Sequence, residues 1–492
     1  MALLGPRLLI VLCSIVCCAL AFKAAVYEHA VIFPPNRIVV LSRDAALKVM
    51  KRNLDVYIEQ CKEAATQKAE LIVFPEYGLY GLGWTRQTLA PYLEFIPDPD
   101  TMSWNPCVDP LRYNNTDVQR QLSCMAKNSS LYLVVNFGAR QPCSVDVHNC
   151  PSDGHFQYST NLVYDSQGKF IARYFKQNLN SDETHFDRPS ITNYTTFSTP
   201  FGRFGTFSTN DIMFKNPAIT LIKNMNITNI VYPAAWKNEL PLLAAIEIHS
   251  AFSEGMHVNL MAANLHVPSK GYQGSGIYWP SGTSNNEIYY NNMSAGSGGK
   301  LLVHDLSPVD PGDQVQNTKR AKTQRMTEKT RHYNSVNGSD EFQAVMNHDL
   351  YNFILLNSGY GGSYKVCQNT LCCETGFEGL FQNTVYALGA FDGIHTHNGR
   401  YPLQVCAFVP CVNGSKTSCG QPSVKSVGYM DKMSFSGNFS SNRYVLPEVL
   451  VTLDNSTLDI IGRTWLYQEA IIIDVGVPGS PVSISMYAIG GP

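Results

Sequence analysis

Short apolar runs of strand length flank one long amphipathic stretch at the start of the chain. Ala24 to His29 and Leu71 to Pro75 are compact apolar segments. Between them, Ala45 to Lys68 places Leu47, Met50, Leu54, Tyr57, Ile58 and Cys61 on one side at helical spacing. Strand, helix, strand predicts a βαβ unit and so a sheet covered by helices. The texture recurs, with strands predicted at Leu131 to Val135, Thr160 to Tyr164, Asn229 to Pro233 and Val258 to Ala262, and a helix over Leu240 to Glu254. No sequence repeat accompanies it.

The pattern breaks near Asp305. From Pro308 to Asp340 the chain is polar and rich in charge, including Lys319, Arg320, Lys322, Arg325, Lys329 and Arg331. This reads as a solvated linker, with a polyanion-binding or processing loop as the alternative. Beyond Phe342, short strand-like runs alternate with Gly, Asn and Cys, as in Tyr386 to Gly393. That texture predicts an all-β module stapled by disulfides. The expected division is a signal peptide over 1–21, an α/β domain over 22–305, a polar linker over 306–341 and a β domain over 342–492.

Composition fits this division. The 492 residues exceed what one hydrophobic core organises. Hydrophobic residues are 44% and charged residues 15%, which argues against disorder, and a net charge of −2 excludes nucleic acid as an expected partner. Arg7, the apolar run Leu8 to Leu20 and Ala19-Leu20-Ala21 form a secretory signal with an A-x-A cleavage site. The run is too short for a permanent membrane span. Sequons at Asn114, Asn128, Asn193, Asn226, Asn292, Asn337, Asn413, Asn438 and Asn455 are potential glycosylation sites.

Cysteine usage points the same way. Beyond the signal, Cys107, Cys124, Cys143, Cys150, Cys367, Cys372, Cys373, Cys406, Cys411 and Cys419 are disulfide candidates in an oxidising compartment. Cys107–Cys124 and Cys143–Cys150 are the expected local pairs. Cys61 is left as a buried thiol. A zinc site on these cysteines lacks a second Cys-x-x-Cys or a His pair at ligand spacing. The segment Val482 to Pro492 has no polar spacer and long apolar tail of a glycolipid-anchor signal, which favours a soluble secreted protein.

Three segments carry chemistry. Val73-Phe74-Pro75-Glu76-Tyr77-Gly78 ends an apolar strand on a glutamate. Ala172-Arg173-Tyr174-Phe175-Lys176-Gln177-Asn178-Leu179 ends another on a lysine. Gly202-Arg203-Phe204-Gly205-Thr206-Phe207-Ser208-Thr209-Asn210-Asp211-Ile212-Met213-Phe214 is the third. They resemble the F-P-E-D-G, R-Y-x-K-x-x-L and G-(R/K)-F-G-x-F-(T/S)-C-F-D-I-x-F segments of the nitrilase (carbon–nitrogen hydrolase) superfamily, in its vanin/biotinidase branch. Tyr232-Pro233-Ala234-Ala235-Trp236, Gly274 to Tyr278, Val366 to Cys373, Ala387 to Gly393 and Gln404 to Cys406 extend the resemblance from Ala24 onward.

The resemblance implies a nitrilase-type α-β-β-α sandwich followed by a β-rich disulfide-stapled domain, hydrolysis of small secondary amides, and no metal or cofactor. It makes Glu76 the general base and Lys176 the group that holds oxyanion charge. Asp182 or Glu183 stands for a second acid of the Lys176 loop. Trp236, Asn210 and Tyr77 are the expected pocket residues. Plain structural readings stay open beside these: an exposed loop for Glu76, a surface lysine for Lys176 and a core aromatic for Trp236.

The nucleophilic cysteine is missing. Thr209 stands in its place, and Asn210 replaces the aromatic that follows. A threonine hydroxyl needs a far stronger base than a thiol does, its β-branched side chain is stiff, and internal threonines lack the N-terminal amine that usually activates them. Ser208 should point to the opposite side, and His249 should pack rather than catalyse. The leading expectation is a secreted, non-hydrolytic relative that keeps a small-amide pocket, as a monomer or homodimer. Two alternatives are an amidase using Thr209 and a relative of the luminous-squid photoproteins of symplectin type. The second would hold a chromophore on Cys406, Cys411 or Cys419.

Overall fold

The structure is a computed structural model. It describes residues 21–144, 146, 149–280, 288–310, 341–356, 361–381, 384–454, 456–461, 465–467, 469–474 and 476–490. The expected signal peptide, save Ala21, most of the expected linker, and the sequons at Asn337 and Asn455 lie outside these residues. Of the other sequon asparagines, Asn114, Asn128, Asn226, Asn413 and Asn438 are exposed, and Asn193 and Asn292 are half-buried.

Two mixed sheets of six strands pack face to face. The first contains β1 (Phe22–Glu28), β2 (Leu71–Val73), β3 (Tyr132–Pro142), β4 (His155–Tyr164) and β5 (Phe170–Phe175). The second contains β6 (Thr196–Thr199), β7 (Gly202–Thr206), β8 (Asn229–Pro233), β9 (Asn259–Ala263), β10 (Ser275–Tyr278) and β11 (Ile288–Tyr290). The chain then returns as β12 (Lys300–Leu306) to pair antiparallel with β1, giving orders β12-β1-β2-β3-β4-β5 and β11-β10-β9-β8-β7-β6. In each sheet three central strands run parallel, β1-β2-β3 and β7-β8-β9.

Strand alternation explains the layering. Ala24, Val26, Leu71, Val73, Val231 and Met261 point between the sheets. Ala25, Tyr27, Ile72 and Phe74 point outward onto helices α1 (Arg43–Thr66) and α2 (Asp117–Ser129). Both faces are buried, so the parallel strands read as unbroken apolar runs. On the other side, Ile230, Tyr232, Leu260 and Ala262 face helix α3 (Ala245–Met256). This is the expected α-β-β-α sandwich. The last helix begins at Ala245 rather than Leu240. Pro241 interrupts the segment, and Glu239 and Leu243 bond to each other's backbone at 2.9 and 3.1 Å in a tight turn before it.

The C-terminal part is a sandwich of a seven-stranded and a five-stranded sheet. The seven-stranded sheet also covers α3, so this helix lies between two sheets, with Leu446, Leu450 and Ile489 packed in the same core as Ile248 and Phe252. The approach is close: a Cβ at Gly255 would lie 2.3 Å from the Val445 carbonyl oxygen. Cys107–Cys124 and Cys143–Cys150 pair as expected, joined by Cys367–Cys372, Cys373–Cys406 and Cys411–Cys419. These pairings correct the photoprotein reading. Cys406, Cys411 and Cys419 each lie in a disulfide, so none offers a thiol to a chromophore. Cys61 is the free cysteine among the described residues, buried in α1, and burial pushes its thiol up. No described helix is long and apolar enough to cross a membrane.

Glu247 of α3 is buried under the C-terminal sheet and accepts a bond from Ser483 Oγ at 2.7 Å. Burial pushes its carboxyl up to about 8. An unfolded glutamate titrates near ~4.3, so the folded state binds the extra proton between these values. Stability contributed by the neutral form is complete at the acidic end and is lost as pH climbs toward about 8. Glu247→Gln should therefore flatten this decline and raise stability at pH ~8.5 by about 1–3 kcal/mol, with little effect at acidic pH. Denaturant titrations across that range check it; parallel wild-type and variant curves would refute it.

Candidate functional site

The three chemistry-bearing segments converge because each leaves the carboxyl end of a strand, where open α/β sheets gather ligands. Glu76 follows β2, Lys176 follows β5, and Thr209 follows β7. Lys176 Nζ lies 3.1 Å from both Glu76 oxygens and 2.6 Å from Glu183 Oε1. Thr209 Oγ1 donates to Glu76 Oε2 and accepts the Ala235 N–H at 2.7 Å. All four side chains are buried.

The backbone at this point is unusual. Thr209 has φ 25° and Tyr77, next to Glu76, has φ 60°. Positive φ is costly for a β-branched residue, roughly 1–3 kcal/mol, and such residues cluster at functional sites. The turn that carries Thr209 is tied down by Asp211. Its carboxylate accepts from Ser208 N at 3.1 Å, Tyr174 OH at 2.8 Å and Asn178 N at 2.8 Å. Burial lifts Asp211 to about 6, although Lys176 and these bonds oppose the shift. Tyr232 OH caps the Thr209 carbonyl.

Behind the glutamate lies a polar network inside the sandwich. Ser159 Oγ donates to Glu76 Oε1 at 2.6 Å, and Asn136 Nδ2 bonds Ser159 Oγ and Asn161 Oδ1 at 2.9 and 3.1 Å. Ser208 donates to Asn161 Oδ1 at 2.9 Å and so joins the same network. Glu183 is the second acid of the Lys176 loop. Its carboxyl is pushed well above the usual range, first by burial and then by the charge on Glu76. Asn180 N bonds its Oε2 at 2.6 Å. One ammonium thus faces two carboxyl groups, of which Glu183 is driven toward its proton.

A cavity of about 270 Å³ opens over Thr209. Thr209, Asn210, Ala235 and Trp236 form one wall; His395, His397, Asn398 and Tyr401 of the C-terminal part form another. Glu76 and Lys176 lie behind Thr209 rather than on the wall. The roof is docked closely. Asn210 Nδ2 donates to the Asn398 carbonyl at 2.6 Å, and Gly399, with φ +137°, has no room for a Cβ, which would lie 2.6 Å from Phe214 Cζ.

Trp236 and Asn210 therefore reach the cavity, and Tyr77 does not. Tyr77 stacks on Phe186 at 6.0 Å and its hydroxyl bonds Glu183, because its backbone turns it behind the lysine. Asp182, the other acid weighed for that loop, is on the cavity wall instead. His249 is buried among Tyr232, Trp236 and Tyr278, with burial lowering its pKa to about 3, as befits a packing residue. The sequence reading missed Ser159, Asn136 and Asn161, whose signal was a lone Asn136 within the apolar run of β3 and polar residues at alternate positions 157, 159 and 161 of β4. It also missed the roof, for which no local signal exists.

Comparison with known proteins agrees with this geometry. Residues 49–284 match the carbon–nitrogen hydrolase family, and residues 340–474 match the vanin C-terminal domain. The chain is 43% identical over 433 residues to the pantetheinase of Mus musculus, covering 88% of this chain and 82% of that protein. It is 42% identical over 441 residues to the pantetheinase of Homo sapiens, with the same coverage. It is 38% identical over 495 residues to the biotinidase of Rattus norvegicus, covering 95% of this chain and 92% of that one.

Removing the ammonium should expose its structural weight. Lys176→Met leaves Glu76 and Glu183 buried without a cation and should cost about 3–5 kcal/mol at pH ~7.5. The deficit should shrink toward pH ~5, as the stranded carboxylates take up protons. Urea unfolding at both pH values checks this; an equal deficit at both would show that Lys176 is not balancing buried charge.

Proposed function

Because the chain belongs to the carbon–nitrogen hydrolase family and carries a vanin C-terminal domain, we propose that it is a secreted member that has lost hydrolysis. In this reading it keeps the pocket as a binding site for a small amide. Glu76 occupies the general-base position, Lys176 the charge-holding position and Thr209 the nucleophile position.

The Thr209 hydroxyl carries this reading. Its proton is engaged by Glu76, and one of its lone pairs takes the Ala235 N–H. Glu76 is itself paired with Lys176 and hydrogen-bonded by Ser159, so its oxygens are already engaged. A thiol would ionise under these conditions; an aliphatic hydroxyl does not. Trp236 and Asn210 remain on the cavity wall to orient a ligand. Pantetheine and biotinyl amides are the ligand classes suggested by the relatives' names. The five disulfides support secretion, since such bonds persist in oxidising compartments.

A second reading is favoured by one contact. Thr209 Oγ1 bonds Glu76 directly, as a nucleophile bonds its base, so an amidase acting through Thr209 is the alternative. Turnover of pantetheine and a biotinyl amide by wild type and Thr209→Cys separates the two. We expect no wild-type hydrolysis, wild-type binding seen as a rise in melting temperature, and activity restored by the cysteine. Loss of a nucleophile elsewhere costs about 10⁶ in rate, so the gain should span several orders of magnitude. Wild-type turnover within about tenfold of the variant would establish the alternative.

A further inference from the structure

We propose that Glu239, His348 and His397 form a site for a divalent transition-metal ion of the zinc class, set in the seam between the two parts of the chain. The three come from distant segments. Glu239 lies in the turn before α3, His348 in the hairpin joining Glu341–Met346 to Asp349–Leu356, and His397 in the loop between Val385–His395 and Tyr401–Cys411. One ligand atom from each lies within 4.8 Å of the others.

The spacing leaves room for an ion between the three groups. Glu239 Oε1 is 3.9 Å from His397 Nε2, and Glu239 Oε2 is 4.0 Å from His348 Nε2. Both separations exceed hydrogen-bond length, so the groups face one another without bonding. Ligands at zinc distances of ~2.0–2.2 Å in a tetrahedron stand about 3.3 Å apart, so the two Glu–His pairs need to close by roughly 0.6–0.7 Å and the His–His pair, within 4.8 Å, by up to about 1.5 Å. The imidazoles stack at 3.6 Å with an 18° tilt, so one ring must swing out of the stack for both Nε2 lone pairs to meet one ion.

The backbones that carry the ligands are fixed. Asn347 Nδ2 donates to the Glu239 carbonyl at 3.2 Å, tying the hairpin to the turn. Asn347 and His348, at φ 47° and 70°, are the two central residues of a tight hairpin turn whose geometry calls for positive φ at both. The His397 loop is held through the Asn398 carbonyl by Asn210. Two imidazoles and one carboxylate select zinc-class ions over magnesium or calcium. Three protein ligands leave a fourth position open. Glu239 and His397 are both on the wall of the Thr209 cavity, so that position can reach a ligand held there. Lys237, on the same wall, adds a positive charge that the ion must tolerate. This site does not depend on whether Thr209 reacts.

The test is calorimetric titration of the full, tag-free chain with zinc chloride after treatment with chelator, alongside magnesium chloride. We expect one zinc per chain, no magnesium binding, and weaker zinc binding at pH ~5.5 than at pH ~7.5. His397→Ala, His348→Ala and Glu239→Gln should each weaken zinc by at least about tenfold, since even outer-shell changes cost ~10–100-fold. Near-ultraviolet circular dichroism without zinc identifies any variant that misfolds. For such a position the milder His397→Gln or His348→Gln is read instead. Absence of saturable binding, or binding that survives in the His348→Ala/His397→Ala protein, would overturn the proposal.

Discussion

Lys176 lies between Glu76 and Glu183 with no access to solvent, and the site is built around that ammonium. Two buried carboxylates and one cation cannot all carry charge cheaply in a low-dielectric interior. Glu183 is accordingly driven toward its protonated form. Glu76 then has a single partner cation and a bond from Ser159, and every neighbour of Glu76 inherits that balance. Thr209 is the last of these neighbours and the one that faces the cavity. A hydroxyl in that position completes the cluster's hydrogen bonding without joining its charge.

The C-terminal sandwich finishes the site rather than merely following it. It covers α3, whose close passage at Gly255 leaves no gap between helix and sheet. Its segment from His395 to Tyr401 supplies four of the cavity's sixteen lining residues. The pocket over Thr209 is therefore a property of the assembled chain, and both the proposed ligand site and the proposed metal site depend on that docking.

Much of this was legible in residue order. Apolar runs at Leu71 to Pro75 and Asn229 to Pro233 marked buried parallel strands because both of their faces are covered. Glu76, Lys176 and Thr209 stood at strand ends, and they converge because β2, β5 and β7 end at the same edge of the sandwich. Tyr77 was misjudged as a pocket residue, because a positive φ turned it behind Glu183. The matching arrangement of the two six-stranded sheets left no trace as a sequence repeat. Glu239, His348 and His397 were invisible as a cluster, since more than a hundred residues separate the first from the second and metal-ligand spacing rules read only local pairs. The roof over the cavity depends on docking between distant strands, which periodicity does not encode.

The central claim is that the Thr209 hydroxyl does not form an acyl bond. Wild-type protein incubated with pantetheine, quenched in acid and mapped by peptide mass spectrometry tests it most directly. The account predicts that the peptide containing Thr209 keeps its unmodified mass at every time point. A pantothenoyl ester on Thr209 that builds up and then decays would contradict it.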